Sequence, residues 1–411
     1  MTITAKKPKA AREINSTPVS APSSLTIDSA VLLRAVRAVS LAVHRNNTIP
    51  ILSNIAIKAT AGGIRLWATD QDIAIVRTIP AEAPAAFGTT VEAKTLAGVL
   101  GSIATGPVTL DPNSEAMRVA ISSDDLTGHL FTLPIDDMPD APLVPTGRPF
   151  QMPAGDLLRL FEAVKHNIST EETRYYLNGA FLRRRDGILR AVATDGHRLG
   201  IASIATPVDG EHVSLDAGVI VPRQVIGPVL RLLAVVPEAV PVTLSIPDAE
   251  KVPTRMSFAW EHGGETTEVV TRLVDGTYPD YEKVIPKETP KALTVLRPML
   301  RRALKTVGPA LTGNAPGVKL TLDKASLRVT ASSVEVAELT TRVTVASTDA
   351  AEWGFNARYL ADLLDAFDGD AVTIRFESGG YPFIFEPADD GRPSDQRDRV
   401  SLVQVLMPMR V

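Results

Sequence analysis

Three segments of this chain are variants of one pattern, and that repetition limits the possible folds more than any single motif does. TTVEAKTLAGVLGSIATGPVTLD (residues 89–111), VIVPRQVIGPVLRLLAVVPEAVPVTLS (219–245) and EWGFNARYLADLLDAFDGDAVTIRF (352–376) each read as a short apolar strand, a helix, a break at Gly or Pro, and a strand opening on Val-Thr. The Val-Thr pairs start at Val108, Val242 and Val372, a spacing of 134 and then 130 residues. A second helical pattern precedes each copy: DSAVLLRAVRAVSLAV (28–43), PAGDLLRLFEAVKHNI (153–168) and VLRPMLRRALKTVG (295–308). In the first of these Leu32, Val36, Val39 and Val43 follow i, i+4, i+7, i+11, which is one helical face. Alternating strands such as GIRLWATD, AMRVAISSD, ILRAVATD, VKLTLDK and SLRVTASS fill the intervals, punctuated by Gly, Asp, Asn and Pro. The unit is therefore two helices packed on mostly antiparallel strands, an α+β arrangement used three times.

The Pro-rich joints PIDDMPDAPLVPTGRP (134–149) and VDGTYPDYEKVIPKETP (274–290) divide the copies, giving domains over 25–148, 149–275 and 276–411. Residues 1–24 are basic and rich in Ala, Pro and Ser, and they read as a disordered extension without the apolar core of a secretory signal. The polar stretch 386–399 reads as a loop insertion. No cysteine is present, which excludes disulfides and thiolate chemistry and suits a reducing compartment, so a cytoplasmic location is expected. No apolar run of membrane-spanning length occurs, and no membrane partner is expected.

Net charge is −4, but it is unevenly placed. The six helical segments carry +7 together and the remainder −11. Between Thr289 and Leu322 there are six basic residues and no acidic one. Arg297, Arg301 and Lys305, at i, i+4, i+8, form one row, and Arg34 and Arg37 are a similar pair. A single basic row is ordinarily a solvated face. Basic helices repeated against an acidic remainder point instead to a polyanion-facing surface. Aromatic residues are 5% of the chain, too few for base stacking on single strands, so the implied contact is with phosphates.

No phosphate-binding glycine loop, dinucleotide fingerprint, HExxH or nucleophile elbow occurs, and no cofactor or metal is expected. Asp195 and His197, two residues apart in VATDGHRLG, invite a catalytic reading, but no nucleophile accompanies them. Strand, Asp-Gly turn and second strand explain the motif as a hairpin that displays His197 and Arg198.

The motifs TRYYLNG (173–179), VATDGHRL (192–199), VIVPR (219–223), LVDGTYPDYEKVIPK (273–287), GFNARYLADLL (354–364) and VLMPMRV (405–411) together resemble the β subunits of bacterial DNA polymerase III, the β sliding clamps, across roughly residues 25–411. The resemblance implies three clamp domains closing head to tail into a homodimeric ring, a non-enzymatic processivity factor on double-stranded DNA. It implies as partners the polymerase III α subunit, the clamp loader, and repair polymerases and mismatch repair proteins carrying clamp-binding peptides, all at the nucleoid. The peptide pocket it implies comprises Leu177, Thr194, Gly196, His197, Arg198, Leu199, Pro279, Val284, Asn356, Tyr359, Val405, Leu406, Met407, Pro408, Met409, Arg410 and Val411. The resemblance matches Lys94 and Arg223 to basic positions facing DNA and adds Arg45 and Arg174 as loop contacts, the latter in a loop that also holds Glu171 and Glu172; Arg34, Arg37, Arg297, Arg301 and Lys305 of the charge pattern complete the expected DNA-facing set. In the family alignment the strand at Leu130 meets the helix end at Leu311 across the subunit interface. A non-ring DNA-binding or regulatory paralogue of the same fold is the main alternative. A hydrolase using Asp195 and His197 is the other.

Overall fold

The computed structural model describes residues 24–44, 48–60, 62–82, 87–113, 116–141, 149–206, 215–247, 253–313, 316–334, 336–347, 349–377, 380–389 and 399–411. Residues 1–23, Arg45 and 390–398 of the expected 386–399 loop lie outside them, and Glu386 and Pro387 of that stretch belong to a strand paired with Thr373 and Val372.

The first domain runs β1 (Leu25–Asp28), α1 (Ser29–Val39), β2 (Asn54–Thr60), β3 (Gly63–Thr69), β4 (Ile73–Ile79), β5 (Gly88–Glu92), α2 (Ala93–Ser102), β6 (Pro107–Asn113), β7 (Arg118–Ser122) and β8 (Thr127–Phe131). The second runs β9 (Phe150–Pro153), α3 (Ala154–Val164), β10 (Gly179–Arg185), β11 (Ile188–Thr194), β12 (Arg198–Ala205), β13 (Val219–Pro222), α4 (Arg223–Leu233), β14 (Pro241–Ser245), β15 (Arg255–His262) and β16 (Glu265–Arg272). The third runs β17 (Lys291–Leu296), α5 (Arg297–Val307), β18 (Gly317–Asp323), β19 (Ser326–Ser333), β20 (Ala337–Ala346), β21 (Ala350–Asn356), α6 (Ala357–Asp365), β22 (Ala371–Phe376), β23 (Phe383–Pro387) and β24 (Val400–Leu406). The order strand, helix, four strands, helix, three strands thus occurs three times, as the repeats in the sequence require.

Each helix starts directly after a strand, where the chain must leave the sheet. Asp28 caps α1 by accepting from Ala30 and Val31 N–H, and Asn356 caps α6 by accepting from Arg358 and Tyr359 N–H. Each such cap stabilises by about 1 kcal/mol. Apolar faces spaced at the helical period bury inward: Leu32, Ala35, Val36 and Val39 on α1, and Leu300, Ala303, Leu304 and Val307 on α5. Truncating one of these leucines to Ala costs about 2–5 kcal/mol. Val43, expected on the α1 face, lies beyond the helix. The Ser40 hydroxyl donates to the Val36 carbonyl at 2.6 Å, and the chain tightens into a 3₁₀ turn over Ser40–Ala42.

Within each domain the strands form two antiparallel groups of four, and the groups fuse across domain boundaries. β5-β2-β3-β4 continues into β16-β15-β14-β9 through six paired residues, Ile73↔Thr271 to Thr78↔Thr266. β13-β10-β11-β12 continues into β24-β23-β22-β17 through seven, Arg198↔Leu406 to Ile204↔Val400. Two equivalent edges remain. β8 ends the sheet β1-β6-β7-β8, and β20, paired along its length with β19, meets β17 only at Val345 and Ala346.

Candidate functional site

β11 and β12 are joined by a turn built from hydrogen bonds rather than from packing. Thr194 Oγ1 donates to the Arg198 carbonyl at 2.7 Å and accepts from Gly196 N–H at 3.1 Å. Asp195 Oδ1 accepts from the backbone N–H of His197 at 2.9 Å and of Arg198 at 3.0 Å. Gly196 sits at φ +90°, which an L side chain adopts only under strain. The other carboxylate oxygen of Asp195 accepts from Arg198 Nε at 2.9 Å. Asp195 is therefore committed to the turn and to a guanidinium, and no Asp–His dyad forms. The exposed His197 ring instead lies 6.4 Å from that of Tyr359.

Arg198 is the central side chain of the site. Its exposure is 10%, its Nη1 donates to Asp362 at 3.0 Å, and its guanidinium carbon lies 4.1 Å over the Tyr359 ring. A residue of the second domain is thereby locked onto α6 of the third. The acids at the end of that helix and just past it also hold cations, Asp365 within the third domain and Asp368 across the junction. Asp365 takes Arg301 through two hydrogen bonds, 2.7 and 2.6 Å, and Asp368 pairs with Arg159 of α3. Beneath the hairpin a buried polar bridge spans the same junction. Asn167 Nδ2 donates to Gln404 Oε1 at 2.9 Å, and Gln404 Nε2 donates to the Ala163 carbonyl at 2.7 Å. His166 lies beside it with Nε2 shut off from solvent, and burial, then the Arg198 cation, lowers its pKa from 6.5 to about 3.

A cavity of about 290 Å³ opens next to the hairpin. It brings together ten expected residues: Leu177, Thr194, Gly196, His197, Arg198, Leu199, Pro279, Val284, Val405 and Met407. Its floor is a small apolar cluster separate from the main core, including Leu177, Leu199, Tyr278, Tyr281 and Val405, with Phe181 stacked on Tyr278 at 4.9 Å. Burial raises the Tyr278 phenol above its ordinary pKa, so that group stays neutral. Larger clefts elsewhere mix apolar walls with several charges, as between α5 and α6, where Arg301, Arg302, Lys305 and Arg358 join Leu304 and Leu311.

Seven expected residues do not line the cavity. Leu406 is 1% exposed and packs in the main core, because alternation along β24 sends Val405 to the cavity and its neighbour to the opposite face. Asn356 is spent on capping α6, while Tyr359 supports Arg198 from the rim. Pro408, Met409, Arg410 and Val411 run on beyond the cavity, with Met409 N–H donating to the Gly354 carbonyl at 2.9 Å. Asp280 and Tyr281 also line the cavity; the resemblance does not imply them, although both stand in the motif GTYPDYEKVIP. Asp362, three residues after Tyr359 and so on its helical face, could have been found from that spacing.

Models of the DNA polymerase III β subunit match the chain three times in succession: the N-terminal domain over residues 23–142, the central domain over 151–280 and the C-terminal domain over 282–410. This chain belongs to the β sliding clamp family of DNA polymerase III. The β sliding clamp of Caulobacter vibrioides is 32% identical over 394 residues, covering 94% of this chain and all of the relative. That of Pseudomonas aeruginosa is 29% identical over 389 residues, covering 94% and 99%. Among solved structures, the sliding clamp of Bartonella birtlesii bound to griselimycin superposes with TM-score 0.82 at 29% identity over 95% of this chain and all of that one. The Caulobacter crescentus DNA polymerase sliding clamp gives 0.79 at 32% over 94% and 100%.

The clamp's expected DNA-facing residues are not equally available. Arg37, Lys94, Arg223 and Lys305 are exposed. Arg34 is 60% exposed and lies 3.6 Å from Glu265. Arg174 pairs with Glu171 at 3.3 Å, and Arg297 Nε donates to the Gly369 carbonyl at 2.8 Å. Arg301 is held by Asp365, so the predicted row of three bends toward α6, and the exposed Arg302 joins the exposed Lys305 on the solvent side of α5. At the expected interface Leu311 is half-buried, but Leu130 is 7% exposed and faces the core. The exposed apolar side chain of β8 is its neighbour Phe131, at 77%.

Proposed function

We propose that this chain closes with a second copy, head to tail, into a ring around double-stranded DNA, and tethers polymerase III α, the clamp loader and repair proteins through the cavity beside the Thr194–Arg198 turn. One observation carries the ring. The same kind of edge strand is joined twice within the chain, β4 to β16 and β12 to β24. By the repeat, β20 is the third member of the first set and β8 the third of the second. The sheet grows by one rule, and the remaining copies of that rule are satisfied between chains. Two such contacts close a twofold ring of six domains. The exposed Phe131, Val334 and Val336 lie on or beside these edges, where pairing would cover them. Helices carrying Arg37, Lys94, Arg223, Arg302 and Lys305 supply the positive charge for phosphates, and topology rather than sequence readout provides retention. The cavity suits a short extended peptide with apolar anchors.

Mass in solution and retention on DNA test this together. A dimer of twice the chain mass is expected, retained on circular duplex and lost when the circle is cut. Replacing Arg297, Arg301 and Lys305 by Glu should reduce retention and leave binding of a labelled Gln-Ala-Ala-Leu-Phe peptide intact. A strict monomer, or equal retention on linear and circular DNA, would refute the ring.

A further inference from the structure

Two glycines of the third domain stand inside strands for no conformational reason. Gly317 opens β18 and Gly354 lies in β21, and neither has a positive φ. Glycine within a strand weakens it and marks close approach by another part of the chain. Here that part is residues 409–411. A Cβ built on Gly317 would fall on the Val411 Cγ1 methyl, and its other near neighbours belong to Val411 and Met409. A Cβ on Gly354 would fall on Val411 Cγ2 and also on the Met409 carbonyl oxygen. The strands pair Gly317 with Asn356 and Gly354 with Lys319, so the two glycines are diagonal neighbours on one sheet face. Together they form a notch one valine side chain wide.

The notch fixes the far end of a segment whose near end borders the cavity. Met407 N–H donates to the His197 carbonyl at 2.9 Å, on the hairpin of the second domain. Two residues later Met409 N–H donates to the Gly354 carbonyl at 2.9 Å and makes an isolated antiparallel bridge to β21. Met407, 41% exposed, lines the cavity between these two attachments. We propose that Gly317 and Gly354 are positioning residues for peptide capture: they seat Val411, and the seated segment holds Met407 as a preformed wall of the cavity. The inference rests on the peptide-binding reading above. Without the seat, a partner peptide must order this segment as it binds, and immobilising a side chain costs about 0.5–1.5 kcal/mol.

The test uses the full chain and the labelled Gln-Ala-Ala-Leu-Phe peptide in fluorescence anisotropy. Gly317→Ala should weaken binding about tenfold. Its added methyl meets side-chain atoms of Val411 and Met409, so Gly317→Ala with Val411→Ala should recover most of that loss. Gly354→Ala also strikes the Met409 backbone, so adding Val411→Ala should not restore it. Hydrogen exchange at the Met409 amide should quicken in both single glycine variants and return to the wild-type rate in the Gly317 double variant alone. If a glycine variant fails to fold, Val411→Asp leaves both strands unchanged and should weaken binding to a similar degree. Wild-type affinity in Gly317→Ala and Gly354→Ala would overturn the proposal. So would equal loss in Gly317→Ala and its double variant, which would signify a strand defect. Failure of the wild-type clamp to bind the peptide would instead remove the peptide-binding reading itself.

Discussion

The chain builds the same turn twice and gives it different surroundings. In the first domain Ala68-Thr69-Asp70 joins β3 to β4, and in the second Ala193-Thr194-Asp195 joins β11 to β12. The hydrogen bonds correspond one for one. Thr69 Oγ1 donates to the Ile73 carbonyl at 2.8 Å and accepts from Gln71 N–H at 2.9 Å, while Asp70 Oδ1 accepts from Asp72 and Ile73 N–H at 3.0 and 2.7 Å. Even the positive φ recurs, at Gln71 (79°) and Gly196 (90°). Both turns stand at a domain junction, and each leads into the strand that crosses it. The first opens on a polar cleft with Asp72, Glu172, Arg223 and Arg272, the second on an apolar cavity. The turn is thus scaffold. The difference lies in His197 and Arg198, which replace Asp72 and Ile73, and in the residues after β24, and the proposed peptide capture rests on these.

That contrast can be broken at four points, taken here from the largest expected effect to the smallest. Deleting Met407–Val411 removes one wall of the second site and should erase its apolar advantage over the first. Peptide binding should fall by at least about a hundredfold, roughly 2.7 kcal/mol, while the dimer persists by size exclusion. Unchanged anisotropy would show that the wall is dispensable. Arg198→Ala leaves Asp195 and Asp362 without their shared cation. Thermal or urea unfolding should show a loss of about 1–3 kcal/mol, between the values for exposed and buried pairs. The equivalent Ile73→Ala removes apolar burial only and should be insensitive to salt. Acid should loosen the second junction specifically. His166 is held neutral, with a pKa near 3 against 6.5 when unfolded, by burial and by Arg198, while Asp195 opposes the shift. Its contribution is complete above pH 6.5 and declines as pH falls from 6.5 toward 3, because the unfolded chain takes up the proton first. Hydrogen exchange near Gln404 should accelerate over that range in wild type and less in His166→Gln. The smallest effect belongs to His197→Ala, an exposed rim group, with a loss in peptide affinity of about threefold or less.

Much of this was legible in the sequence, and what was missed has identifiable causes. The threefold repeat and helical periodicity gave the α+β class and the six helices, because burial on one face imposes a period that composition cannot hide. The Asp-Gly turn was readable because its geometry depends on local residues. The fusion of sheets across domains was not, since edge pairing uses backbone groups that every sequence shares. The contiguous motif VLMPMRV places Leu406 with the pocket, whereas strand alternation divides that motif between two faces. The row of Arg297, Arg301 and Lys305 was correctly spaced, but spacing along one helix says nothing about acids on the next. Asp365 could be found only once α5 and α6 were side by side.

The acids at and beyond the end of α6 have a consequence for motion. Arg301 is 36% exposed and its partner Asp365 54%, so this two-hydrogen-bond pair stands in solvent where a competing anion can reach it. On the proposed DNA face, a phosphate reaching Arg301 does not find an empty cation. It exchanges with a carboxylate of like charge and similar geometry, and the carboxylate reclaims the guanidinium when the phosphate moves on. In the proposed ring, that exchange would make the energy along the duplex a shallow ripple instead of a series of wells. A bare arginine at this position would grip each phosphate more firmly and slow such a ring.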